Sequence, residues 1–201
     1  MLVRSAIAFG LSMFLVIRPV SAMAGVPTDQ VRGTVDRVLA VVQDVKLKAA
    51  DKLKERRELL SKIIAARFDF AEMARRSLGA EWRRINAAQQ QQFVELFTDL
   101  LRDAYVADIE SYKGETVRYG RESQEDRFAA VQTYLKSREG TEYSIEYRLH
   151  LVDNEWKVYD VVIENVSIVN NYRAQFTRLI NKSSYDGLIR VMKEKTLAKD
   201  K

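Results

Sequence analysis

The chain has 201 residues with no cysteine, one histidine and two prolines, and is 47% hydrophobic and 30% charged. That composition belongs to a folded domain, and it excludes disulfides, thiolate nucleophiles, cysteine-based zinc or iron–sulfur sites and the multi-histidine sites of most metalloenzymes. Lys and Arg number 33 against 28 Asp and Glu, a formal charge of +5 that gives a mild bias toward anionic partners.

Residues 1–24 read as a secretory signal peptide. Arg4 precedes a charge-free run from Ser5 to Ile17, and Ala22-Met23-Ala24 has the small-x-small pattern of a cleavage site. At about 1.5 Å per residue the run spans roughly 20 Å, short of a bilayer core of about 30 Å, which disfavours a membrane anchor. The lack of cysteine excludes a lipoprotein. Residues 25–201 are therefore expected to form one exported domain, only slightly basic because Arg4 and Arg18 leave with the signal. Export and the even spread of Lys and Arg argue against nucleic-acid binding.

From Thr28, an N-cap residue type, Val31, Val35, Val38, Val42 and Val45 recur at spacings of four and three and predict an amphipathic helix. Asp51 to Arg76 predicts a second, with Leu59, Leu60, Ile63 and Ile64 on its apolar side and Gly79 as its stop. A third runs from Gln89 to about Tyr112, with Phe93, Phe97, Leu100, Leu101 and Tyr105 forming an inward stripe opposite the strands that follow. Beyond Gly114 the period becomes two. In Glu142 to Leu151 the apolar Tyr143, Ile145, Tyr147, Leu149 and Leu151 alternate with polar residues, which predicts a half-buried antiparallel strand. Arg127–Ser137 and Trp156–Glu164 flank it across Arg138-Glu139-Gly140 and Asp153-Asn154, connections of hairpin chemistry, and Thr116–Tyr119 adds a strand. Tyr172, Phe176, Leu179 and Ile180 restore helical spacing, and Tyr185 to Lys195 forms a last amphipathic segment. Helices segregated from an antiparallel meander define an α+β fold class.

Motifs for phosphate-cradling loops, zincins and the nucleophile elbow are missing. His150, on the polar side of its strand, reads as an exposed structural residue that would need an Asp partner and a nucleophile to act as a base. Asp160, inside Val158-Tyr159-Asp160-Val161-Val162, is the carboxylate that burial could turn into a proton acceptor, unless it faces solvent or pairs with a basic neighbour. The pairs Arg56-Arg57, Arg75-Arg76 and Arg83-Arg84 read as solvated helix faces first and docking patches second.

The run from Tyr147 through Trp156-Lys157-Val158-Tyr159-Asp160-Val161-Val162-Ile163-Glu164 to Asn171-Tyr172-Arg173-Ala174-Gln175-Phe176 resembles the MlaC family, the toluene-tolerance auxiliary proteins. Phe68-Asp69-Phe70, Met73, Leu78-Gly79, Trp82, Phe93, Phe97 and Tyr105 match its helical half in order, whereas Gln89 to Gln92 depart from its more charged helix start. The resemblance implies an NTF2-like (cystatin-like) sheet with packed helices around an apolar pocket. It also implies a periplasmic carrier, without cofactor or catalysis, that moves phospholipid between an outer-membrane lipoprotein/porin complex and an inner-membrane ABC transporter complex and so maintains outer-membrane lipid asymmetry. A related branch handles hopanoids, so a hopanoid or another apolar lipid is the alternative cargo.

Elementary energetics suit such a carrier. Passing a lipid of about 30 methylenes through water costs roughly 0.8 kcal/mol per methylene, on the order of 24 kcal/mol, so free diffusion is negligible. A carrier must match the bilayer approximately, or it would fail either to load or to release. The walls assigned to the pocket are Phe97, Leu101 and Tyr105 from the third helix, with Ile145, Tyr147, Leu149, Val161 and Ile163 from the sheet. Arg75, Arg76, Arg83 and Arg84 are assigned to anionic headgroups or transporter subunits. Two other classes stay open: an NTF2-like isomerase with Asp160 as base and Tyr147 or Tyr159 as hydrogen-bond donor, and an adaptor with no cargo.

Overall fold

The computed structural model describes residues 26–197, so the expected signal segment 1–24 lies outside the described residues. Four helices lead, α1 (Val26–Gln43), α2 (Leu53–Arg67), α3 (Phe70–Leu78) and α4 (Ala87–Glu110). A meander follows, β1 (Thr116–Glu125), β2 (Phe128–Lys136), β3 (Glu142–Val152), β4 (Glu155–Ile163) and β5 (Val166–Ser167), and α5 (Ile168–Leu197) closes the chain. Each strand pairs antiparallel with its sequence neighbour. The fold is α+β, with a five-stranded open sheet and packed helices.

Two helical expectations need correction. The α1 stripe stops at Val42, because Asp44 turns extended and accepts the Lys46 N–H at 2.8 Å, starting a short 3-10 turn that leaves Val45 80% exposed. The single helix expected over Asp51–Arg76 is broken at Phe68-Asp69. Phe68 is extended and bridges to Val158, and the Asp69 N–H donates to the Val158 carbonyl at 2.8 Å. The Asp69 carboxylate then accepts the Glu72 N–H at 2.9 Å, an N-cap that restarts the chain as α3. A hydrogen bond to a distant strand thus replaces a local helical one, which helical spacing alone cannot foresee. At α4 the Asn86 and Gln89 side chains each accept the other's backbone N–H, a capping box that sets the start.

In the sheet, Asp153 and Asn154 both take positive φ, 48° and 63°, as a two-residue hairpin turn requires. β1 runs six residues past the expected Tyr119, because a bulge between Tyr119 and Glu122 interrupts the alternation that would have revealed the rest. A second bulge lies in β4: Leu149 pairs with Val158 but Arg148 with Asp160, so Tyr159 is an extra residue. Trp156 and Val158 before it, and Val161 and Ile163 after it, consequently share the inner face.

Burial divides into two clusters. In the helical one, Met73, Ala74 and Leu78 of α3, Phe93, Phe97 and Leu101 of α4, and Phe176, Leu188 and Met192 of α5 are buried together. The Phe97 ring stacks on Phe93 and meets Tyr172 and Phe176 edge-on, at centroid distances of 5.5 to 6.0 Å. The second cluster lies on the inner sheet face, where Ala129, Val131, Leu149, Trp156, Val158 and Val161 pack with Val31 of α1. Phe68 and Ile168 touch both clusters and join the layers. Arg67 fastens three elements by donating to Gln30 Oε1 at 2.5 Å, to the Trp156 carbonyl at 2.6 Å and to Thr34 Oγ1 at 3.3 Å. α5 bends at Ser183-Ser184, where Ser184 has φ 68°, and the bend divides it into the two segments expected from spacing.

Candidate functional site

The inner sheet face is built by alternation on β2, β3 and β4. Opposite pairs Thr133–Ile145, Val131–Tyr147 and Ala129–Leu149 continue across β3 as Ile145–Ile163, Tyr147–Val161 and Leu149–Val158. Leu149 and Val158 are completely buried, whereas Ile145, Tyr147 and Ile163 at the other end keep accessible surface. The face is therefore closed at the Leu149 end and open toward Ile145.

All five strand residues assigned from sequence, Ile145, Tyr147, Leu149, Val161 and Ile163, come together in this one cluster. Phe97 and Leu101 do not join them. The expected opposition of the α4 stripe to the sheet is corrected by the packing: Phe97, 0% exposed, and Leu101, 4% exposed, face α3 and α5 in the helical cluster. Tyr105 belongs to α4, and its side chain lies outside the described residues.

Two phenols line the inner face. Burial pushes the Tyr147 hydroxyl up to about 12, and burial, reinforced by the Asp36 carboxylate, does the same to Tyr119. The Tyr119 hydroxyl is buried without a hydrogen-bond partner among the described residues, and Arg32 lies over its ring at 4.6 Å. Both phenols are thus neutral across the physiological range, and the face carries no charge of its own from β2, β3 or β4.

The titratable candidates are tied into the scaffold. His150 is half-buried, not exposed as expected, and its Nε2 lies 3.0 Å from Asp69 Oδ2, linking β3 to the cap of α3. Asp160 is 4% exposed, and its carboxylate accepts Ser167 Oγ at 2.7 Å, the Val169 N–H at 3.1 Å and Arg148 Nη1 at 3.5 Å. It thereby anchors the start of α5. Arg75 and Arg76 both grip Glu72, whose carboxyl burial would raise; the two guanidinium hydrogen bonds win and hold it below its ordinary value. Arg56 and Arg57 share Glu110 in the same way, and Arg84 pairs with Glu81. The basic pairs are more structural than their spacing suggested.

Two concavities lie elsewhere on the surface. A largely apolar groove of about 850 Å³ runs along α2, past Leu53, Leu59 and Ala65 to Arg102 of α4. A recess of about 550 Å³ sits where α3, the turn after it, α5 and the outer face of β3 and β4 meet, lined by Arg75, Arg76, Arg83, Arg148 and Arg173. None of the seven assigned wall residues whose side chains are described lines either one. Sequence reasoning named three of these five arginines and missed Arg148 and Arg173, which reach the recess only through folding. No His, Asp and Glu cluster suited to a metal ion occurs among the described residues.

An open antiparallel sheet with one uncharged apolar face, backed by a separately packed helical layer, defines an α+β scaffold built around a surface for apolar contact. The chain belongs to the MlaC protein family, whose model matches residues 32–194. It is similar to the intermembrane phospholipid transport system binding protein MlaC of Haemophilus influenzae, 24% identical over 122 residues that span 58% of this chain and 57% of that protein. It is likewise similar to the toluene tolerance protein ttg2D of Pseudomonas putida, 23% identical over 88% of this chain and 84% of the relative. Among solved structures it resembles the phospholipid-binding protein of Ralstonia solanacearum in complex with a phospholipid. That likeness has a TM-score of 0.78 and 27% identity, over 86% of this chain and 98% of the other. No helix among the described residues is long and apolar enough to cross a membrane.

Proposed function

We propose that the protein is a non-catalytic periplasmic lipid carrier, a single domain at residues 25–201 released from a signal peptide at residues 1–24. It takes up phospholipid and passes it between an outer-membrane lipoprotein/porin complex and an inner-membrane ABC transporter complex, maintaining outer-membrane lipid asymmetry. The observation that carries this reading is the apolar inner face of the sheet, open at Ile145, Tyr147 and Ile163, in a chain that resembles a phospholipid-bound structure over nearly its whole length. Family membership and the transport function in the name of the Haemophilus influenzae relative support it.

In this proposal Ile145, Tyr147, Val161 and Ile163 touch acyl chains and Leu149 forms the closed floor. Tyr105 keeps its assignment to acyl-chain contact from the sequence, while Phe97 and Leu101 support the helical layer. Burying about 30 methylenes recovers on the order of 24 kcal/mol, so a dry, uncharged wall suffices and the headgroup can stay in water. The isomerase alternative loses its base, because three donors already occupy Asp160.

The test is native mass spectrometry of the protein purified from a bacterial periplasm, followed by organic extraction and lipid analysis. The expected result is a stoichiometric phospholipid. A hopanoid would reassign the cargo. A protein that stays empty when offered liposomes would overturn the carrier reading in favour of an adaptor.

A further inference from the structure

The arginine-lined recess is on the far side of the sheet from the apolar face, because Arg148 and Asp160 point outward where Tyr147 and Val161 point inward. Five guanidiniums and one carboxylate, Asp160, line it. That carboxylate is already spent on Ser167, Val169 and Arg148. Glu72 neutralises part of Arg75 and Arg76, and Glu146 takes Arg148 Nε at 2.9 Å. The guanidinium groups of Arg83 and Arg173 make no ion pair or hydrogen bond among the described residues.

Arg173 is nevertheless held in place. Gly79 adopts φ 64° after α3, and a Cβ there would sit 2.8 Å from Arg173 Nε, so the missing side chain is the space that the guanidinium occupies. Arg76 lies over the Tyr159 ring, its Cζ 4.1 Å from the centroid, while its Nε donates to Glu72. Like charges gathered in one concavity repel one another unless an anion joins them. Guanidinium forks match the oxygens of phosphate better than any other side chain does.

We propose that this recess binds a phosphate-type anion, either free phosphate or the phosphate ester of a phospholipid headgroup at a membrane surface. The site does not depend on the lipid-carrier reading, since it shares no residue with the proposed acyl-chain wall. Its affinity falls with ionic strength, because Arg83 and Arg173 are exposed.

The experiment titrates the purified protein at low salt with inorganic phosphate and with glycerophosphoglycerol by calorimetry. The comparison is with the double variant Arg83→Gln/Arg173→Gln and with Arg84→Gln, whose arginine lies outside the recess. Saturable one-to-one binding of either probe, weakened at least about tenfold in the double variant and unchanged in Arg84→Gln, supports the proposal. Sedimentation with phosphatidylglycerol vesicles, but not phosphatidylcholine vesicles, that is lost in the double variant assigns the headgroup as the source. Phosphate binding without vesicle binding assigns the free anion. Amide shifts of the unmodified protein on adding phosphate give a reading that does not depend on variants, and they should centre on Gly79 and Arg173. Absence of saturable binding, equal binding by the double variant, or shifts confined to other regions would overturn it. Lipid content per folded molecule should be the same in all three proteins, so failure of this site and failure of the carrier reading are separable.

Discussion

The helical layer and the inner sheet face are both apolar, yet they are finished differently. In the helical layer Phe93, Phe97, Met73 and Leu188 are 0 to 1% exposed and the rings interlock, as in a core that exists to be stable. On the sheet only the Leu149–Val158 end is sealed, and Ile145, Tyr147 and Ile163 keep accessible surface at the other. A protein that needed only stability would close both. Leaving one apolar face partly unpacked costs stability and makes sense if something else completes it.

Four variants or conditions test that contrast, beginning with the largest expected effect. Tyr147→Arg places a charge on the open face and should abolish lipid loading in protein that still folds; normal loading by extracted-lipid analysis would break the comparison on the sheet side. Phe97→Ala should lose about 3 to 5 kcal/mol in urea unfolding through the cavity it leaves, while lipid per folded molecule is retained. Loss of lipid at full stability would show that α4 touches cargo directly. Asp160→Asn keeps an acceptor for Val169 but loses the charge that holds Arg148, and should cost about 1 to 3 kcal/mol with lipid transfer intact. A transfer defect beyond its stability loss would return Asp160 to the functional list.

The smallest effect is that of pH. The Glu72 carboxyl is held below its ordinary value, so its stabilising contribution is complete above the unfolded value of about 4.3 and is lost as pH falls through the folded one. As pH falls below about 4.3, thermal melting should therefore decline less in Glu72→Gln than in the unmodified protein. An equal decline would show that the arginine fork on α3 contributes nothing to acid sensitivity.

Much of this was legible wherever a side-chain period could run uninterrupted. The alternation in β3 identified Ile145, Tyr147, Leu149 and Leu151 as inward, although Tyr143 at the strand's start is 45% exposed; the stripe of α4 identified Phe93, Phe97, Leu100 and Leu101 as facing a core, and Asp153-Asn154 marked its turn. What stayed hidden depended on partners far along the chain. The break at Phe68-Asp69 needs Val158, the burial of His150 needs Asp69, and the reach of Arg67 needs Trp156. The stripe of α4 was read correctly as inward but placed against the wrong neighbour, since periodicity tells which residues face a core and not which core they face. The five arginines of the outer recess come from α3, the turn after it, β3 and α5, so no local spacing could have grouped them.

The extra residue in β4 serves the outer side of the sheet alone. Remove Tyr159, and Val158 would still oppose Leu149, Asp160 would still oppose Arg148 and Val161 would still oppose Tyr147, now as an unbroken ladder, so the inner side chains would keep their side. What would go is the ring beneath the Arg76 guanidinium. A single-codon deletion at this point therefore separates the two faces of the sheet: lipid content should be unchanged while the arginine recess loses one of its supports. Across relatives of this chain, the segment from Val158 to Asp160 can shorten by one residue without disturbing the apolar face.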